Sequence, residues 1–268
     1  MIKLIASDMD GTLLNDRKEL PWDFFEVFDE LERRGIKFTV ASGRSFDAVA
    51  HLFPEEYRTR LDFICDNGAN VIHEGKQVSV NPLDRQTFEQ LIMACEDIGG
   101  LRVLVCAGRG TYHLTADAEF SAEIAKYYKN HIPCDDLLSV DDVIYKLAVC
   151  DMKGTQQHAK PAIDAIFGDR LNVQVSGPIW MDVMGAGVSK GSALRALGKH
   201  LGISAEDTMA FGDFYNDADM LKYAGWSFAM ENGNPDIKRM TRFLARSNNE
   251  NGVLRAIRQY ALQEDSIK

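Results

Sequence analysis

Little in this sequence points to thiolate, membrane or nucleic-acid chemistry. The five cysteines, Cys65, Cys95, Cys106, Cys134 and Cys150, form no CxxC pair and no metal-binding spacing. An odd number of isolated cysteines in a chain of this size predicts reduced, mostly buried thiols and not a disulfide framework. The six histidines are scattered and do not form a metal set. No stretch approaches the roughly 20 apolar residues of a membrane-spanning helix. The apolar run at the N-terminus is far too short for a signal peptide, and Asp8 interrupts it. A cytoplasmic location is the expectation. Positive charge is also scarce, with 30 Lys and Arg against 40 Asp and Glu and a formal net charge of −10. That balance disfavours nucleic-acid and anionic-membrane partners, because the phosphate backbone rewards basic faces. No low-complexity stretch or tandem repeat is visible.

What is present suffices for a large core. The chain has 268 residues and is 46% hydrophobic, enough for one large domain or two smaller ones. The first part alternates strand and helix: Lys3–Ser7, a helix over Trp22–Arg34 stopped by Gly35, strand Lys37–Ala41, helix Ser45–Leu52 and strand Phe63–Cys65. This βαβαβ order predicts a parallel sheet with right-handed crossovers. The last part repeats the style, with helix Lys190–Leu201, strand Thr208–Phe211, helix Asp217–Tyr223, strand Ser227–Met230, and helices Pro235–Met240 and Gly252–Leu262. The middle differs. Helix Arg85–Ile98 precedes a hairpin of Leu101–Ala107 and Thr111–Leu114 around Gly108-Arg109-Gly110. Helix Asp117–His131 and strand Tyr145–Asp151 follow. Helix Thr155–Phe167 then precedes a second hairpin, Leu171–Ser176 and Ile179–Met184. Hairpins favour an antiparallel sheet. The expected fold class is α/β: a Rossmann-like parallel-sheet core over 1–81 and 187–268, with an inserted α/β domain over 82–186 containing an antiparallel sheet.

In open α/β sheets ligands bind at the carboxyl ends of the strands, and four such places carry polar residues. The stretch DMDGT gives Asp8, Asp10 and Thr12; ASGR gives Ser42, Gly43 and Arg44; VSKG places Lys190 at a helix start; GDFYND gives Asp213, Asn216 and Asp217. A carboxylate can attack phosphorus and split one hard step into two. Carboxylates from two strand ends suit Mg²⁺, which prefers oxygen ligands shared with substrate phosphate. A cation would also relieve the repulsion between Asp8 and Asp10. A lysine and a serine hydroxyl would hold the remaining phosphoryl oxygens. Each motif alone has an ordinary reading as a turn, a helix cap or a solvated lysine. Their order along predicted parallel strands is what singles them out.

Taken together, DMDGTLL, ASGR, VSKG and GDFYND resemble the four motifs of the haloacid dehalogenase superfamily of phosphatases. The resemblance is to its Cof-type branch, which has a large α/β cap inserted between the second and third motifs. CDNGA at Cys65–Ala69 and SNNENGV at Ser247–Val253 also look like this branch. Dehalogenases of the superfamily lack the second aspartate. The resemblance implies that Asp8 is nucleophile and Mg²⁺ ligand. It makes Asp10 the general acid/base with its main-chain carbonyl on the metal, and Asp213 the third protein ligand. Ser42, Gly43, Lys190 and Asn216 would bind phosphate or substrate, with Thr12, Arg44, Asn67 and Asp217 in support. Two stretches depart from the family pattern. Phe214-Tyr215 replaces a small or polar residue after Asp213, and Met230-Glu231-Asn232-Gly233 replaces Met-Gly-Asn-Ala. The expected reaction is hydrolysis of a small phosphorylated metabolite, with sugar phosphates first and nucleotide or cofactor phosphates next, by a monomer or small homo-oligomer. Two alternatives stay open: a phosphomutase or phosphotransferase using the same aspartyl-phosphate, and a phosphometabolite-binding regulator without turnover.

Overall fold

A computed structural model describes residues 1–115, 120, 124, 128 and 130–263. Its chain divides into two compact units: Met1–Gly43, Leu52–Ser79 and Ser189–Lys268 form one, and Arg44–His51 and Val80–Val188 the other.

The first unit is built on strands β1 (Leu4–Asp8), β2 (Lys37–Ala41), β3 (Asp62–Cys65), β4 (Asn70–His73) and β5 (Lys76–Val80). It continues with β12 (Thr208–Gly212), β13 (Trp226–Met230) and β14 (Phe243–Ala245). Their order in the sheet is β14-β13-β12-β1-β2-β3-β4-β5. From β14 to β3 all neighbours pair in parallel, and β4 turns back antiparallel on β3. Side chains alternate across a strand. Leu4 and Ala6 of β1 and Ala41 of β2 therefore share the face that packs on Ala193, Leu194 and Leu197 of the helix Lys190–Leu201. Phe38 points to the other face, where the Phe24 ring meets it edge-on at 5.5 Å between centroids. Phe24 opens the helix Phe24–Arg33, whose buried positions Phe24, Val27, Phe28 and Leu31 recur at helical spacing. Two covered faces explain why β1 is buried at every position.

The second unit holds a six-stranded sheet, β10-β11-β9-β6-β7-β8. Its strands are β6 (Leu101–Ala107), β7 (Gly110–Leu114), β8 (His131–Cys134), β9 (Ile144–Asp151), β10 (Leu171–Val175) and β11 (Trp180–Gly185). All pairs are antiparallel except β7 with β8. Val105, Leu147, Val149, Met181 and Val183 form a core with Phe88, Leu91 and Ile163 of the helices Arg85–Ile98 and Ala159–Phe167. On the opposite parity of β9 and β11, buried Lys146 pairs with buried Asp182 at 2.8 Å. The helix predicted over Asp117–His131 lies for the most part outside the described residues, and His131 opens β8. The helix predicted from Thr155 starts instead at Ala159. The Asp151 carboxylate accepts from the amides of Lys153 and Ala159 at 2.9 and 3.1 Å, which holds the intervening chain in turns. Arg109 of the first hairpin turn pairs with Asp142 at 3.2 Å. Among the described residues no helix is long and apolar enough to cross a membrane.

Candidate active site

The first unit brings the predicted motifs to one edge of its sheet. Asp8 ends β1, Ser42 follows β2 and Asp213 follows β12. Because β1 pairs in parallel with both β2 and β12, these three side chains emerge at the same, carboxyl, edge. Lys190 arrives as the first residue of its helix. A capping box fixes that start: the Ser192 amide donates to the Ser189 hydroxyl at 3.1 Å, and the Ser189 amide donates to the Ser192 hydroxyl at 3.0 Å.

Lys190 is the electrostatic centre. Its ammonium donates to Asp8 Oδ1 at 2.6 Å and to Asp217 Oδ1 at 2.7 Å. Lys190 and Asp217 are fully buried, and Asp8 is 7% exposed. The other Asp217 oxygen accepts from the amides of Asp213 and Phe214 at 2.9 and 3.2 Å. Asp217 thus ties the lysine to the loop that carries Asp213. One carboxylate oxygen each of Asp8, Asp213 and Asp217 lie within 4.8 Å of one another. Burial pushes the Asp8 carboxyl well above its ordinary range. Lys190 opposes that shift, and the charges of Asp217 and Asp213 add to it. Burial and then the Asp217 charge push Asp213 up to about 6. For Lys190 burial works downward, but Asp217 and Asp8 outweigh it and raise the ammonium above its ordinary value.

The remaining predicted residues are less evenly placed. Thr12 donates to Asp213 Oδ1 at 3.4 Å. Gly11 between the motif aspartates and Thr12 has φ +81°, and a Cβ there would lie 2.6 Å from Asp213 Oδ2. The first motif therefore needs glycine both for its turn and for close approach. Asp10 turns to the half-exposed side of the loop, where Lys18 Nζ holds its Oδ1 at 2.8 Å. Ser42 is buried. Its amide donates to the Ile64 carbonyl at 2.8 Å, and its carbonyl accepts from the Asn67 amide at 3.1 Å. Asn67 has φ +53°, and its Oδ1 accepts from Asn216 Nδ2 at 3.3 Å. A Cβ on Gly43 would stand 3.1 Å from that same Oδ1. Arg44 belongs to the second unit.

Three supporting residues were not singled out from the sequence. Lys18 reaches Asp10. Asn232 donates to the Gly11 carbonyl at 2.7 Å and accepts from the Asn248 amide at 3.0 Å. Asn248 also donates to the Leu14 carbonyl at 3.0 Å. The available signals were the stretch SNNEN for Asn248 and the stretch Met230–Gly233 for Asn232, because amide side chains both donate and accept and so bridge loops.

A family model for haloacid dehalogenase-like hydrolase matches residues 5–257. The chain is 31% identical over 258 residues to a 5-amino-6-(5-phospho-D-ribitylamino)uracil phosphatase of Escherichia coli, YbjI, covering 96% of this chain and 95% of that protein. It is 28% identical over 239 residues to an HMP-PP phosphatase of Klebsiella pneumoniae, covering 89% of this chain and 87% of that one. The crystal structure of SMU.1108c from Streptococcus mutans superposes with a TM-score of 0.89 at 27% identity, over 98% of this chain and 100% of the other. A match over nearly the whole length, with the site residues drawn from both ends of the chain, establishes that this protein belongs to the haloacid dehalogenase-like hydrolases.

Proposed function

We propose that this hydrolase is a Mg²⁺-dependent phosphatase that removes phosphate from a small phosphorylated metabolite through an aspartyl-phosphate on Asp8. The observation that carries the reading is Lys190, buried between Asp8 and Asp217 beside Asp213 at the carboxyl edge of the parallel sheet. The related proteins named as phosphatases support the same class.

The donor set suits the metal. The clustered groups are all carboxylate oxygens, the hard ligands Mg²⁺ selects. Burial raises the pKa values of Asp8 and Asp213, and a cation beside them would favour the ionised form of both. Both oxygens of Asp217 are already engaged by Lys190 and two amides. That leaves Asp8 and Asp213 as the carboxylate ligands, with Asp217 fixing their frame, and the family resemblance adds the Asp10 carbonyl. When bound, Mg²⁺ supplies positive charge against the carboxylates and the phosphoryl oxygens.

With Asp8 Oδ1 held by Lys190, Oδ2 is the oxygen that attacks phosphorus. The bond from phosphorus to the ester oxygen breaks, and Asp10, which must first leave Lys18 and take up a proton, gives that proton to the oxygen. Lys190 and Ser42 hold the phosphoryl oxygens as charge redistributes. Asp10, now ionised, takes a proton from the water that attacks the aspartyl-phosphate. Inorganic phosphate leaves and Asp8 is regenerated.

The test is a panel of phosphomonoesters assayed for phosphate release with Mg²⁺, with chelator, and with Mg²⁺ restored. Release should stop with chelator and return with metal. Undiminished release in chelator would refute the metal requirement. Turnover only when an acceptor alcohol is added would make the protein a phosphotransferase.

A further inference from the structure

Two aromatic side chains follow Asp213 directly. Phe214 is 40% exposed and Tyr215 is 52% exposed. Among the described residues they are the one consecutive pair of exposed large apolar side chains. Their rings contact each other edge to face, 5.1 Å between centroids and 68° between planes. Exposed single aromatics are common and mean little. This pair differs because its position is fixed at both ends. The Phe214 amide donates to Asp217 Oδ2, and Asp217 Oδ1 accepts from the lysine that holds Asp8. The Tyr215 hydroxyl donates to Asp236 Oδ2 at 2.6 Å. Asp236 lies in the helix Pro235–Met240, and the Asn234 amide just before that helix donates to the Asp213 carbonyl at 2.8 Å. The rings therefore ride on the same hydrogen-bonded frame as the carboxylates, yet stay open to solvent.

We infer that Phe214, backed by Tyr215, is a stacking platform for the leaving group, and that the preferred substrates are phosphomonoesters whose alcohol carries a flat, aromatic or heteroaromatic ring. This rests on the phosphatase reading above and adds the substrate class to it. It puts ring-bearing alcohols ahead of the sugar phosphates that the resemblance alone placed first. The physical reason is that a planar π surface gains from an aromatic face what a polyol, hydrated on all sides, does not.

The experiment compares benzyl phosphate with glycerol phosphate. Both release a primary alcohol, so the chemical step is closely matched; they differ in the ring and in the two free hydroxyls of glycerol, and comparing wild type with the Phe214 variants isolates what the ring gains from that side chain. The readout is the ratio of their kcat/KM values. Phe214→Ala should lower that ratio about tenfold to a hundredfold, the range that aromatic stacking supplies. Phe214→Trp, which keeps a flat face, should retain it. An equal loss on both esters would show that Phe214 acts through loop position or by packing against protein, and would overturn the inference. So would an unchanged ratio. A binding measurement stands apart from turnover: calorimetry with Mg²⁺ and either benzylphosphonate or methylphosphonate, neither of which can be hydrolysed. Wild type should bind the benzyl compound more tightly by a similar factor, and Phe214→Ala should remove that difference. Equal affinities in wild type would refute the platform even in a fully active phosphatase. Selective binding without hydrolysis would leave the platform standing and refute the phosphatase reading.

Discussion

Replacing Lys190 by methionine leaves the shape of the side chain nearly intact and removes its charge. The structure makes the consequence calculable in outline. Lys190 is fully buried and makes two charge-assisted bonds, at 2.6 and 2.7 Å, to carboxylates that are themselves almost wholly enclosed. Removing one partner of such a cluster leaves buried charge uncompensated, at a cost of about 3–5 kcal/mol. For a chain of this size that corresponds to a fall of roughly 10 °C in Tm. The loss should depend on pH in a defined direction. Burial already raises the Asp8 pKa, and Lys190 is the group that opposes the rise. Without it Asp8 takes up a proton at still higher pH, and a neutral carboxyl needs no counter-charge. The deficit should therefore be larger at high pH, where Asp8 is ionised, and shrink as pH falls and Asp8 is protonated. Adding Asp217→Asn should recover much of the lost stability, since the amide oxygen can still accept from the Asp213 and Phe214 amides without bringing charge. Turnover should be absent in both variants. The assay is urea unfolding of wild type, single and double variants in chelator at two pH values. A deficit below about 1 kcal/mol at neutral pH, or one that does not change with pH, would refute the electrostatic account.

Asp213→Asn should act the other way in metal-free protein. The folded pKa of about 6 lies above the ordinary carboxyl value of 3.8. Stability from this group is thus complete at acid pH and is lost as pH rises through 6. The variant should match wild type near about pH 4 and exceed it by about 2–3 kcal/mol near about pH 8, while losing the response of stability to Mg²⁺. Gly11→Ala should displace Asp213 and strain the turn, because the new Cβ would meet Oδ2 at 2.6 Å with φ at +81°. A Mg²⁺ titration of activity should show weakened metal dependence, and unfolding a loss of about 1–3 kcal/mol. Asp10→Asn should slow alkyl phosphates by about 10²–10⁴-fold. With an activated aryl ester it should give a burst of aryl product and then stall. Equal slowing of both ester types without a burst would remove Asp10 from the proton-transfer role.

Legibility in the sequence followed how local each signal was. β1, β2 and β12 were readable because short apolar runs end abruptly in polar residues, and the helices Lys190–Leu201 and Arg85–Ile98 because caps and periodicity agree. That Asp8, Lys190, Asp213 and Asp217 come together was readable from the order of their motifs along predicted parallel strands. What stayed hidden depends on distant partners. Strands β4 and β14 are short, β5 has no buried position to give it an apolar pattern, and their places are set by neighbours across the sheet. Nothing local says that Asp10 will find Lys18, or that Asn232 will bridge Gly11 and Asn248. The delayed start of the helix at Ala159 depends on the buried Asp151 carboxylate, which periodicity does not reveal.

The central claim is that Asp8 carries the phosphoryl group. It is tested by mixing excess enzyme, Mg²⁺ and an aryl phosphate, quenching in acid during the first turnover, and mapping the peptides by mass. The Asp10→Asn variant serves as a trap for the intermediate. One phosphoryl group should appear on the peptide containing Asp8, be absent in Asp8→Asn, and be assigned to Asp8 after reductive labelling. Phosphate release in the first turnover with no label on Asp8, or continued turnover by Asp8→Asn, would contradict the account.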